Sequence, residues 1–468
     1  MKTLLALVSA LVFALPARAD ITADALARTI AGRDATALGP AAQPMLEDYA
    51  RKVTEAWAGY DAKIGTPLRQ WAALEVDSAR GETVFYPFSG PDFPTLNLLH
   101  PGASRYIMVA FQFANAPPDL SRVEPAKLHG YLEQFKHRWE LYSRIGFFRT
   151  DDLNRDAARG GLHIGVTDPL LGFASRSGYE VVSVEPIRVR ADGADVEPAP
   201  GPRNDAATWR SVRRVLRNAG RNVILDYVRG DLSEGGLRGS ESWKAFIESA
   251  AKHRTVFKAA SHLPQQPQFA MLRAAVLARA PSIVQDETGI DYGLLATAYD
   301  VTLFGKYDRA HRLFSSSLNQ ALAAAYASRD DVRPLGFRVG YEKRLGSSVQ
   351  VAVRREAQDA AALERRVAAS LERYAARPRV VYVSRGQAGS AEVRAWLEEV
   401  SAKLPAGRGT PQVVSIMLDR TGTVVDASVD RGADKGVGDS VRRLQRLPVP
   451  PQSLIGRADM VVLTMNLK

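Results

Sequence analysis

No cysteine occurs anywhere in the 468 residues. Its absence excludes disulfides, thiolate metal sites, a thiol nucleophile and a lipid-modified cysteine behind an export signal. Catalytic signatures are missing too: there is no G-x-S-x-G elbow, no H-E-x-x-H and no Walker loop. Ser249-Ala250-Ala251-Lys252 fits the S-x-x-K of penicillin-recognising enzymes. No S-D-N follows it and no K-T-G precedes a closing strand, so the match carries no acylation chemistry. Histidine is sparse, with His100, His129, His137, His163, His253, His262 and His311 scattered along the chain. His129 and His137 stand eight positions apart on one predicted helix, too far for one metal, and most of the histidines read as surface or capping residues. No metal and no other cofactor is expected.

Long apolar runs are confined to the start. Lys2 precedes the apolar stretch Leu4 to Leu15, followed by Pro16 and Ala17-Arg18-Ala19. This is the layout of a secretory signal peptide with an A-x-A cleavage site. The run is shorter than the roughly 20 residues a bilayer requires. Cleavage is expected near Ala19, which places the mature protein in the periplasm and leaves it no membrane span. Loss of Lys2 and Arg18 with the leader lowers the net charge from +11 to +9. The basic residues are interleaved with acids, so the excess reads as solubility rather than a polyanion-binding surface. Neither the compartment nor any motif suggests nucleic acid.

The pattern of apolar residues divides the chain into five parts: a signal peptide (1–19), a loosely held lead-in (20–44), an α+β body (45–355), a charged helical connector (356–378) and a small C-terminal unit (379–468). In the body, helices are expected from Glu47 to Ile64, over Pro125–Ser143, Ser242–His253 and Met271–Ala280, and within Ala310–Ala327. Strands are expected at Glu82–Phe88, Tyr106–Phe113, Gly161–Val166, Tyr179–Val189, Asn222–Val228, Gly336–Tyr341 and Val349–Val353. Ala191–Asp205 reads as a surface loop. Ala206–Ala219 reads as a helix with Arg210, Arg213, Arg214 and Arg217 on one broad solvated face, where anionic lipid or glycan is the functional alternative. Ala360–Ala376 is a charged, alanine-rich helix suited to a solvated connector. Beyond it come strand Val380–Val383, helix Ala391–Leu404, strands Val413–Leu418 and Val424–Val429, helix Val437–Leu447 and strand Met460–Leu467.

Two stretches carry resemblances. Residues 413–467 hold a hairpin with a D-x-x-G-x-V turn (Asp419, Gly422, Val424), paired basic residues (Arg442, Arg443), a P-x-P-P step and a closing strand. They resemble the C-terminal domain of TonB-like and TolA-like energy-transducing proteins, which implies a small αββαβ fold that offers a sheet edge to a partner strand. Gly409, Thr410 and Pro411 stand where that family carries a Y-P approach, and the long proline-rich spacer is missing. The body, through "FYPFSGPDF" (85–93), "SIVQDETGIDYGLLATAYDVTLFGKYDRAHRLF" (282–314) and "RPLGFRVGY" (333–341), resembles an uncharacterised family of exported bacterial proteins; that resemblance implies no activity.

The same stretches supply the candidate site. In 85–93 a stiff, proline-rich turn holds Tyr86, Ser89 and Asp92, as a packed turn or at the mouth of a cleft. In 282–292 a loop gathers Gln285, Asp286, Glu287, Asp291 and Tyr292. Clustered carboxylates there serve acid–base chemistry or, more simply, cap a helix and pair with arginines; their spacing does not fit a calcium loop. The ligand-binding candidates are Tyr86, Ser89, Asp92, Gln285, Asp286 and Tyr292, and the catalytic candidates Asp92, Asp286 and Asp291. The leading expectation is a periplasmic binding or interaction protein whose C-terminal unit contacts an envelope protein. The alternative is an envelope hydrolase using the 286–291 carboxylates with Asp92. Convergence of Asp92 with Asp286 or Asp291 in one pocket with a basic or tyrosine partner would favour the hydrolase, and placement on separate faces would remove it.

Overall fold

A computed structural model describes residues 21–77, 80–146, 165–307, 319–340, 347–355, 360–375, 380–384, 390–404, 412–429, 440, 443–455 and 460–467. The expected leader lies outside these residues. The fold is α+β, with a large mixed sheet and a small one.

In chain order the large sheet contains β1 (Thr83–Pro87), β2 (Arg105–Ala110), β3 (Glu180–Val189), β4 (Val196–Pro198), β5 (Ser211–Asn218), β6 (Arg221–Arg229), β7 (Arg254–Phe257), β8 (Ser282–Asp286), β9 (Tyr299–Gly305) and β10 (Ser348–Arg354). They lie side by side as β4-β3-β5-β6-β2-β1-β7-β8-β10-β9. The central strands β6, β2, β1, β7 and β8 are parallel. Both flanks are antiparallel.

Parallel strands covered by helices are short apolar runs buried on both faces. Along β1, Val84 and Tyr86 join one apolar cluster and Phe85 the other, because successive strand residues point to opposite faces. The first face is covered by helices Ala23–Ile30, Gln43–Tyr60, Thr66–Glu75, Phe93–Leu99, Pro125–Ile145 and Thr167–Arg176. The second is covered by Glu234–Arg238, Glu241–Ala250, Ala270–Arg279, Tyr292–Ala298 and Gln320–Ser328.

The strand order contains a reversal. From β1 the parallel strands are added on one side, as β2 and then β6; the chain then returns and adds β7 and β8 on the other. The β1–β2 connection runs over the first face, and the β6–β7 and β7–β8 connections over the second, as right-handed crossovers in opposite directions require. Loops leaving the carboxyl ends of β1 and β7 therefore part to opposite faces, the arrangement that opens a crevice in sheets of this kind. Open sheets of this kind bind ligands at such a reversal.

The second sheet orders β11 (Val380–Ser384), β12 (Gln412–Asp419), β13 (Val424–Val429) and β14 (Met460–Leu467) as β11-β14-β12-β13. Helix Ala391–Lys403 lays Trp396, Leu397 and Val400 on Ile416, Leu418, Val461 and Leu463. In the β12–β13 turn, the Asp419 carboxylate accepts from the amides of Thr421 (2.8 Å) and Thr423 (2.9 Å). Gly422 has φ +81°, and a Cβ there would lie 2.4 Å from the Leu447 carbonyl oxygen, so the position admits only glycine.

Several expected elements differ. Residues 211–218, expected as the second half of an arginine-rich helix, form β5, because Val212, Arg214 and Leu216 alternate inward on a strand. The lead-in is not loose: helix Ala23–Ile30 buries Leu26, Ala27 and Ile30. Residues 282–286, expected within a loop, are β8. Residues 336–340 are not a strand; 341 lies outside the described residues. Of the helix expected at 437–447, residues 443–447 are not helical, while 437–439, 441 and 442 lie outside the described residues. In the strand expected at 161–166, residues 161–164 lie outside them, and Val166 is the N-cap of a helix. The loop 191–205 contains the short β4. The connector helix, Ala360–Ala375, is not wholly solvated: Val367 and Leu371 pack on the second face of the body.

Candidate functional site

The loop after β1 sets the first half of the site. Phe88 takes φ +60°, and the Ser89 amide donates to the Val109 carbonyl (3.2 Å), pinning the loop to β2. Pro91 and Pro94 then steer the chain into helix Phe93–Leu99, with Asp92 as its N-cap. The buried Asp92 carboxylate accepts from Tyr142 OH (2.6 Å), Thr95 Oγ1 (2.9 Å), Tyr86 OH (3.3 Å) and Lys258 Nζ (2.7 Å). Four donors address the four acceptor directions of the carboxylate, Tyr86 sharing its proton with the Lys258 carbonyl (3.2 Å).

Lys258 follows directly on β7. Its ammonium donates to Asp92, to Thr95 Oγ1 (2.8 Å) and to the carbonyl of Gly146, which ends helix Pro125–Ile145. All three of its protons are thus engaged. One ion pair therefore joins the loop after β1, the loop after β7 and the long helix on the first face. Burial, and then the charge of Asp92, pushes the Tyr142 hydroxyl well above the usual tyrosine range. Tyr60 packs against Tyr142, with ring centroids 5.1 Å apart.

Beyond Lys258 the backbone enters the left-handed region at Ala259 (φ +50°), Ser261 (φ +54°) and His262 (φ +56°). The end of β8 holds it there. The Asp286 carboxylate accepts from the Ala259 amide (2.6 Å), from the Thr288 amide (2.9 Å) and from Thr288 Oγ1 (2.5 Å), and Thr288 Oγ1 accepts from the Ala260 amide (2.7 Å). Gly340 presses on the same carboxylate: it has φ +71°, and a Cβ there would lie 2.4 Å from Asp286 Oδ2. Burial raises the pKa of Asp286 above the carboxylate norm, opposed by the Thr288 and Ala259 hydrogen bonds and by the charge of Lys258.

Under this arrangement lies a cavity of about 20 Å³, floored by Thr95, Lys258, Gln285 and Asp286 and walled by Trp71, Leu99 and Val339 among others. It has room for roughly one water-sized group. On the second face, Phe88 contacts Phe111, Phe257 and Phe269, with ring centroids 5.9, 6.5 and 5.1 Å away.

The structure thus brings Tyr86, Ser89 and Asp92 to one side of the reversal and Asp286, which feels the charge of Lys258, to the other. Gln285 lines the cavity but is occupied in the turn after β8. Its amide donates to the Ile290 carbonyl (2.8 Å) and its oxygen accepts from the Ile290 amide (2.9 Å). Asp291 and Tyr292 do not join the cluster. Asp291 caps helix Tyr292–Ala298 on the second face through the Gly293 amide (2.8 Å), and Tyr292 OH accepts from Arg329.

Lys258, Thr95 and Tyr142 were missed by sequence reasoning, as was β7. The available signal was a short apolar strand, helix and apolar strand in succession over 254–286, a βαβ unit whose first loop carries Lys258.

Other expectations about charged residues change. His100 and His262 are buried at cap positions, of helix Phe93–Leu99 and of the turn Leu263–Gln265, rather than on the surface, and burial, then the charge of Arg254, pushes His100 down to about 4. The four arginines of 206–219 do not share a face. Arg213 holds Asp226, Arg214 is buried near Asp168, Arg217 faces Glu180, and Arg210 precedes β5. Among the described residues, no three histidines or carboxylates are placed to hold a metal ion, and no helix is long and apolar enough to cross a membrane. Comparisons with protein-family models, curated proteins and solved structures find no match to this chain.

Proposed function

We propose that the chain is an exported, periplasmic binding protein. It takes a small ligand in the crevice between β1 and β7, while its C-terminal unit contacts a protein partner at the envelope. The observation that carries this reading is the concentration of left-handed backbone at the reversal. Six non-glycine residues among those described have positive φ, and four of them, Phe88, Ala259, Ser261 and His262, stand in the two loops flanking the crevice. Each such residue costs about 1–3 kcal/mol and persists where its surroundings over-determine it, as at ligand clamps. Asp92–Lys258 and the Asp286 anchor supply that constraint. The leader pattern at 1–19 supports export. The contact role draws on the resemblance of residues 413–467 and on β13, an edge strand of the second sheet that exposes its own Val425.

One observation favours a hydrolase as the second reading: Lys258 is paired with Asp92 beside two tyrosines and lines a small cavity together with Asp286. Saturation weighs against it. Asp92 already accepts four hydrogen bonds, and a general base must release one before it takes a proton.

The test pairs the full chain with Ala259→Gly/Ser261→Gly, since glycine adopts positive φ without strain. A chemically diverse fragment library is followed by hydrogen exchange over 88–92 and 258–262. We expect fragments that slow exchange in both loops of the parent chain. The double variant should unfold no earlier yet bind those fragments about tenfold more weakly, through lost preorganisation. Protection of neither loop by any fragment overturns the binding reading. Turnover of ester, amide or glycoside substrates that disappears in Asp92→Asn would install the hydrolase instead.

A further inference from the structure

The geometry points to the class of ligand: we infer that the crevice takes an organic anion built on a flat apolar ring, such as an aryl carboxylate, with the anion held by Arg229 and Arg210 and the ring against Phe111 and Phe88. The inference rests on the binding reading above and names its ligand.

Two arginines at this edge stand apart from their neighbours. Arg105 and Arg213 hold the buried carboxylate of Asp226, and Arg217 faces Glu180. Arg229, the last residue of β6, and Arg210, just before β5, have no carboxylate within ion-pair distance among the described residues. Both instead address the ring of Phe113, with guanidinium carbons 4.3 and 6.0 Å from its centroid. Arg229 also donates from Nε to the Phe111 carbonyl (3.3 Å), and the Ala114 amide donates to the Arg210 carbonyl (3.2 Å), so the loop after β2 holds the Arg229 side chain and the Arg210 backbone in place. A guanidinium stacked on a ring keeps its planar edge directed outward, the geometry that matches a carboxylate.

The apolar half of the site continues from there. Phe113 is 52% exposed and Phe111 38% exposed, unusual for phenylalanine in loops of one chain. From Phe111 the rings run inward to Phe269 (6.3 Å) and Phe88 (5.9 Å), and Phe88 is the residue whose positive φ marks the crevice. A flat ring beside Phe88 and Phe111 would meet aromatic edges and faces at the spacing such rings prefer. Exposed rings and arginines also suit an anionic membrane surface. Here the rings lead from the rim into the strand reversal, which favours a ligand small enough to enter.

The test titrates the full chain calorimetrically with 2-naphthoate and with its neutral counterpart 2-naphthamide. Arg229→Gln, Arg210→Gln and Phe113→Ala are compared with the parent, and their thermal midpoints confirm folding. We expect naphthoate to bind at least about tenfold more tightly than naphthamide, as a charge-assisted contact implies. Arg229→Gln should erase most of that difference while leaving naphthamide nearly unchanged. Equal binding of the two compounds, or naphthoate affinity indifferent to both arginine variants, overturns the inference. So does retention on phosphatidylglycerol vesicles with naphthoate silent. If neutral fragments protect 88–92 and 258–262 while naphthoate does not bind, the ligand class falls and the crevice stands; protection by nothing removes both.

Discussion

Lys258 and Asp92 lie 166 positions apart and meet at 2.7 Å in a buried setting where neither has spare bonding capacity. Removing one member of such a pair strands the other charge away from water, at a cost of about 3–5 kcal/mol. Lys258→Met and Asp92→Asn are each expected to lose stability of that order in urea unfolding. The double variant should recover part of the loss, because it buries no unpaired charge. A cycle with no coupling between the two sites would remove the pair from its role as a clamp. Half of this pair was legible in the sequence. Asp92 drew attention because Pro87, Gly90, Pro91 and Pro94 crowd a stiff turn around it. Lys258 stood unmarked after a strand of four residues, too short for alternation to register, and its partners come from distant elements. Asp286 was noticed for the wrong reason. It gathered with Asp291 in the sequence, but a strand end and a helix cap send the two carboxylates to different tasks.

Among the elements, β5 shows how a buried charge misleads a reading of periodicity. Its inward positions are Val212, Arg214 and Leu216, so an arginine interrupts the apolar alternation that would have announced a strand. Trp209, Val212, Val215 and Leu216 then fall at the spacing of a helix. On the opposite face Arg213 reaches Asp226 of β6 through two bonds, of 2.7 and 2.9 Å, and Arg105 of β2 donates to the same carboxylate at 2.8 Å. Asp226 therefore staples three adjacent strands. Asp226→Asn is expected to cost about 3–5 kcal/mol, since two guanidiniums lose their shared anion. The loss should be local in hydrogen exchange: amides of β3 and β5 lose protection before those of β1 and β7. Uniform loss across the sheet would show that the antiparallel flank is not an independent layer. The long helix Pro125–Ile145 and the strand Glu180–Val189, by contrast, were readable from pattern alone, because their apolar positions keep the period of the element even though Arg138 is buried on the helix.

Among the described residues, the buried apolar side chains sort into three clusters, and their membership suggests where the chain divides. Two clusters line the faces of the large sheet, and the third is built wholly from residues between Val383 and Leu463. Composition suggested a break at the charged helix 356–378, yet that helix belongs energetically to the body. Val367 is buried against the second face, Leu371 packs beside it, and Ser370 meets Thr297 at 3.1 Å. Burial of one such aliphatic side chain is worth about 1.5–3 kcal/mol. A chain ending at residue 378 should therefore keep the main thermal transition of the full-length protein and lose only a smaller one. A chain ending at residue 355 uncovers the seat of Val367 and Leu371, and its main transition should fall by several degrees. Calorimetry on the three lengths reads this directly. If 378 and 355 melt alike, the connector is the solvated spacer its composition implies. If truncation at 378 already lowers the main transition, the C-terminal sheet supports the body as well as whatever it contacts.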